Sequence, residues 1–98
     1  MSTEQLISAI EFCERQQVEI SFIQSLQEYG LIEVVVIEKE RFIHPEQLQQ
    51  VEQFVRLYYD LDINLAGIDA IANLLQKVEH MNEEIRLLKN KLRLYERE

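Results

Sequence analysis

The side chains best equipped for chemistry in this 98-residue chain are eighteen acids, two histidines and one cysteine. A structural zinc site draws several Cys and His ligands at short spacings. Cys13 stands alone, which excludes a multi-cysteine metal site and an internal disulfide framework. His44 and His80 fall on different elements: His44 reads as a helix-start residue, and His80, between Val78 and Met81, as a solvated helix position. Acid–base catalysis needs carboxylates in contrasting surroundings. Here none lies in an apolar setting, and neighbours such as Glu83 and Glu84 suit a solvated helix face. The two glycines, Gly30 and Gly67, make neither a phosphate-binding loop nor a nucleophile elbow. These residues lead us to expect no enzyme, no cofactor and no metal, but a protein that works by contact.

Contact depends on charge and on the elements that display it. Ten Lys and Arg against eighteen Asp and Glu give a formal charge of −8. Phosphate binding needs clustered cations, so a general nucleic-acid partner is not expected. A hydrophobic content of 47% offsets the ordering entropy and excludes a disordered acidic tail. A chain of this size buries only roughly 60–65% of its unfolded surface, which makes a lone core marginal and oligomerisation expected. Acids interrupt the N-terminal apolar stretch, so it does not read as a signal peptide. The longest uninterrupted apolar run, Val34-Val35-Val36-Ile37, is far short of the ~20 residues of a membrane helix. We expect a soluble intracellular protein with Cys13 reduced and packed beside Phe12.

Two Gly and one Pro allow few turns and favour long helices. Ser8-Ala9-Ile10-Glu11 has the capping-box pattern and predicts a first helix over about 9–16, with Ile10, Cys13 and Phe12 inward. After a turn at 16–19, a second helix over about 20–29 buries Phe22, Ile23 and Leu26 and stops at Gly30. Two short helices so joined make a helix-turn-helix. The β-branched run Leu31–Ile37, polar Glu38–Arg41 and then Phe42-Ile43 predict a hairpin of open turn type, packed on the helices as a wing. Leu6-Ile7 is a candidate third strand. Pro45 starts a third helix, with Leu48, Val51, Val55 and Tyr58 on one face and Phe54 and Leu61 beside it. Asp62-Ile63-Asn64 breaks it, and Asn64 caps the next.

The last segment carries the strongest pattern. Counted from Ile71, the a and d positions are Ile71, Leu74, Val78, Met81, Ile85, Leu88, Leu92 and Tyr95, all apolar over four heptads. Ile68 and Leu75 widen the stripe where it meets the rest of the domain. Such a period predicts a supercoiled partner helix, and the chain upstream holds no second long helix to supply it. A homodimer through this helix is the expectation. Pairing of Glu84 with Lys89 and of Lys91 with Glu96, and branched residues at a with Leu or Met at d, lean toward a parallel arrangement. The organisation is therefore a head with its following helix over residues 1–63 and a dimerisation helix over 64–98, in one structural domain.

Helix-turn-helix, wing and dimerising helix is a DNA-reading layout, but its electrostatics are missing. Residues 1–45 hold three cations, Arg15, Lys39 and Arg41, against eight acids, a charge of −5. The helix that would enter the major groove has no basic residue, although Arg supplies the commonest base contact and Lys and Arg hold the phosphates. Gln24, Ser25 and Gln27 could read bases, with nothing to hold them there.

With these residues in place, the chain resembles the chaperone modulator CbpM family, a MerR-like winged-helix group. The carrying residues are Glu11-Phe12-Cys13, Glu28-Tyr29-Gly30-Leu31-Ile32, Arg56-Leu57, Asp60-Leu61 and Ile63-Asn64-Leu65-Ala66-Gly67-Ile68, in register over most of residues 7–94. Gln17 departs from a common turn Gly, and Ala66 from a common Pro. The resemblance implies a mainly α fold: a MerR-like winged helix-turn-helix head, a small hairpin wing and a long coiled-coil helix. It also implies a bacterial cytoplasmic dimer, usually paired antiparallel, that binds the J-domain of a DnaJ-like co-chaperone of the CbpA type and inhibits it. A J-domain engages Hsp70 through a basic helix, which the acidic head would complement. Glu11, Glu14, Glu19 and Glu28 are then the candidate charged contacts, with exposed parts of Phe12 or Phe22 as apolar anchors. A MerR-like DNA-binding regulator and an adaptor for another basic protein are the alternatives.

Overall fold

A computed structural model describes residues 5–96. The order is β1 (Ile7–Ser8), α1 (Ala9–Gln16), α2 (Ile20–Glu28), β2 (Val34–Ile37), β3 (Glu40–Ile43), a 3₁₀ turn (Pro45–Gln47), α3 (Leu48–Val55), a π turn (Arg56–Asp60) and α4 (Leu65–Glu96). The molecule is therefore mainly helical, with a small antiparallel sheet and a long C-terminal helix, as the heptads and the wing pattern predict.

Helix starts and stops follow local chemistry. The Glu11 amide donates to Ser8 Oγ at 3.3 Å, capping α1. Among the described residues Glu11 returns no side-chain bond, so only half of the expected capping box forms. α1 ends with Gln17 at φ 60°, where the Val18 amide reaches the Cys13 carbonyl at 3.0 Å. α2 ends the same way at Gly30, φ 75°, where the Leu31 amide donates to Leu26 at 2.9 Å. The αL turn needed at 17 is thus made by glutamine in one place and by glycine in the other. Asn64 Oδ1 caps α4 by accepting from the Gly67 amide at 2.8 Å. A Cβ at 67 would lie 2.8 Å from Ile63 Cγ2, so glycine fits that first turn where alanine does not.

The sheet order is β1-β3-β2. Ile43, on the central strand, stands opposite both Ile7 and Val34 and is fully buried. Glu38 and Lys39 join β2 to β3 in two residues, both at positive φ (51° and 69°), the signature of a type I′ turn made without Asn or Gly. β2 begins at Val34, later than the apolar run predicts, because Leu31 and Ile32 complete the α2 stop and pack inward. Gln47 pins this stretch: its side-chain amide accepts from the Glu33 N–H (2.9 Å) and donates to the Glu33 carbonyl (3.1 Å), as a neighbouring strand would.

The core gathers Ala9, Phe12 and Cys13 of α1, Phe22, Ile23 and Leu26 of α2, and Val51, Phe54 and Val55 of α3 around Ile32, Ile43 and Ile68. Two expected inward residues are displaced. Ile10 is 53% exposed, because the Ser8 cap sets the inward stripe of α1 on positions 9, 12 and 13. Leu61 is 63% exposed. The π turn, closed by the Leu61 amide on the Arg56 carbonyl at 3.1 Å, widens the helix by a residue and carries Leu61 away from its expected place beside the 3-4-3 face.

Candidate functional site

Two surfaces and one small hollow could act in recognition. The first surface is the acidic head. Glu11 and Glu14 sit three apart on α1, and Glu19 and Glu28 at opposite ends of α2, about 13 Å apart along the helix. All four are exposed, and among the described residues no cation pairs with them. They lie along two helices as a spread of charge rather than a cluster. Phe12 and Phe22 do not join them. Both are 4% exposed and belong to the core, so their expected role as exposed anchors is corrected: apolar side chains at inward helix positions have a better alternative to a partner.

α2 presents Ser21 and Glu28 fully and Gln24, Ser25 and Gln27 partly to solvent. No cation lies on it. Of the three head cations, Arg41 is half-buried on β3, with its Nε enclosed and without a hydrogen-bond partner among the described residues.

The second surface is the stripe of α4. Leu74, Val78, Met81, Ile85, Leu88, Leu92 and Tyr95 are all exposed on the single chain, whereas Ile71, nearest the head, is half-buried. Leu87 and Leu94 add apolar surface outside the heptad seam toward the C-terminal end. Polar side chains pair off the seam: Arg86 forks onto Glu83, holding that carboxyl below its usual range, and His80 Nε2 lies 3.7 Å from Glu84.

The hollow lies where α2 meets the π turn. Phe22, Tyr58 and Tyr59 form one aromatic group, with ring centroids 4.7, 5.5 and 5.0 Å apart. The Glu19 amide donates to the Tyr59 hydroxyl at 3.4 Å, and the Glu19 carboxylate accepts from Ser21 at 3.3 Å. The space enclosed is about 270 Å³. Sequence reasoning passed over Tyr59; the signal available was two consecutive aromatics just before the Asp62 break. A larger groove of about 550 Å³ runs between α3 and α4 over Gln49, Gln53, Phe54 and Leu75.

Burial pushes the Cys13 thiol pKa up, which keeps it protonated and unreactive. His44 stands at the N-cap position of the 3₁₀ turn, far along the chain from His80 on α4. Among the described residues no three His, Cys, Asp or Glu side chains converge as a metal site would, and no helix is long and apolar enough to cross a membrane.

Comparison with known proteins gives one match. A family model described as MerR HTH family regulatory protein covers residues 7–90. No curated protein and no solved structure matches the chain.

Proposed function

The chain belongs to the MerR helix-turn-helix regulatory family, and from that premise we propose that it binds a basic protein surface in place of DNA. It acts as a cytoplasmic, non-catalytic homodimer that holds the J-domain of a DnaJ-like co-chaperone of the CbpA type and inhibits its co-chaperone activity. The observation that carries this reading is the α2 helix: the element that would read a groove has no cation, and Glu11, Glu14, Glu19 and Glu28 stand exposed around it. Such a head repels phosphates and attracts a basic helix. The resemblance of residues 7–94 to the CbpM group supports the same partner.

Mechanistically, complementary charge steers the encounter and selects the partner. A J-domain whose basic helix faces the head cannot present it to Hsp70, so stimulation stops by occlusion. The α4 stripe joins two such heads. Calorimetry of the full chain with a CbpA-type J-domain tests the reading: binding at micromolar concentrations should weaken as salt rises, and absence of salt-sensitive binding sinks it.

Family membership itself favours a second reading, a DNA-binding transcription regulator. A gel shift against its own upstream region at low salt discriminates: retardation there supports the regulator, and its absence retires that idea.

A further inference from the structure

We infer that the hollow bounded by Glu19, Phe22, Tyr58 and Tyr59 is the seat for one cationic side chain of the protein partner, an arginine. This rests on the head being a receptor for a basic protein, and it names the point at which the positive charge is gripped.

The hollow has the chemistry of a cation seat. Its lining is largely aromatic: Phe22, Tyr58 and Tyr59 border it, and Tyr59, at 43% exposed, is the ring most open to a partner, with buried Phe22 packed behind it. Ring faces attract cations at close range, and a guanidinium adds stacking that a compact, strongly hydrated ammonium does not. Glu19 carries the only formal charge in the lining. Its Oε1 accepts from Ser21, so Oε2 is left for a donor from outside. The hollow also meets the first turn of α2, whose amides present roughly half a positive charge. The full negative charge of Glu19 at the N-cap outweighs that, so the local field favours a cation.

Size selects the occupant. At about 270 Å³ the space falls below the roughly 300–1,000 Å³ of small-molecule pockets and suits the end of one side chain. The backbone is arranged for the purpose as well. A wider π turn brings consecutive residues closer in angle, so Tyr58 and Tyr59 both face α2, and the same turn sends the apolar Leu61 into solvent.

Two measurements test this. In ¹⁵N–¹H spectra of the full chain, N-acetyl-arginine amide should shift the amides of residues 19–25 and 58–61 saturably, and N-acetyl-glutamine amide should not. No shift there, or equal shifts from both, overturns the seat. In calorimetry with the J-domain, Tyr59→Leu and Glu19→Gln should each weaken binding by about fivefold to tenfold, and Tyr59→Phe, which keeps the ring, should restore most of it. If the wild-type chain binds the J-domain and Tyr59→Leu and Glu19→Gln bind as tightly, the seat is refuted and the broader reading stands. If the wild type ignores the J-domain while arginine amide titrates the hollow, the broader reading falls and the seat stands.

Discussion

Replacing Ile85 by Asp should leave the chain monomeric at micromolar concentrations. Ile85 is an a position about two-thirds of the way along a helix of 32 residues, about 48 Å long. On one chain its side chain is 49% exposed, so about half of the 1.5–3 kcal/mol gained on full burial of such a residue is left for a partner to supply. Two copies lose that contribution, roughly 2 kcal/mol together. The larger effect is the carboxylate, which the proposed seam strips of water; the nearest cation, Lys89 one turn on, lies at the solvent edge of the stripe, and a buried charge without full pairing costs several kcal/mol. A combined loss of at least about 4 kcal/mol weakens the dimer about a thousandfold. Sedimentation velocity over a concentration series reads the result, with Val78→Asp as a second seam variant. Arg86→Ala, which breaks the flank pair with Glu83, serves as the control that stays dimeric. An Ile85→Asp chain that sediments as the wild type does at every concentration refutes the seam. So does a wild-type chain whose mass and melting midpoint ignore concentration.

Four further outcomes are expected. Gln17→Gly should raise the thermal midpoint, because a non-glycine αL residue costs about 1 kcal/mol and glycine removes it against a smaller entropy loss; a lowered midpoint in circular dichroism contradicts the αL stop. Gln47→Ala should cost about 1–2 kcal/mol in urea unfolding by removing both bonds to Glu33, and unchanged stability denies the clamp. The Cys13 thiol, with its pKa raised by burial, keeps a proton that the unfolded chain releases; its contribution to stability is therefore full below about pH 8.5 and declines as pH rises above it. That decline should be smaller in Cys13→Ala, and rapid labelling of native Cys13 by a thiol reagent speaks against its burial. Finally, Glu11→Lys with Glu14→Lys should weaken J-domain binding and flatten its salt dependence, and unchanged binding moves the partner surface off α1.

Much of the fold is legible because helix punctuation is written in single residues. Ser8, Gly30, Pro45 and Asn64 each mark a start or stop, and the structure uses each one. What escapes is set by geometry that no residue type announces. The π turn needs no unusual amino acid, so the 3-4-3 pattern reads on through Leu61 while the backbone has already slipped. The Gln47 clamp is equally silent, since a glutamine at a helix start has many uses. For the site, the acids are legible as charge, but Phe12 and Phe22 look like free anchors only until the core closes around them. The hollow depends on residues 40 positions apart, Glu19 and Tyr59, meeting through one hydrogen bond.

In the proposed dimer, the reach of α4 sets how many targets can be held at once. Beyond Ala72, where the helix leaves the core, it runs on to Glu96, roughly 36 Å at 1.5 Å per residue. Paired antiparallel, two chains hold their heads at opposite ends of that rod; paired parallel, they hold them side by side. In the first case each head of the proposed dimer would take its own ligand, and a bivalent target would have to span the rod to be held at both ends. In the second, one bivalent target gains an effective concentration in the millimolar range, and its avidity can exceed a single head's affinity by roughly 10²–10⁴. The direction of the coil, which Tyr95–Tyr95 crosslinking through a cysteine at that position reports, is thereby a setting for valency.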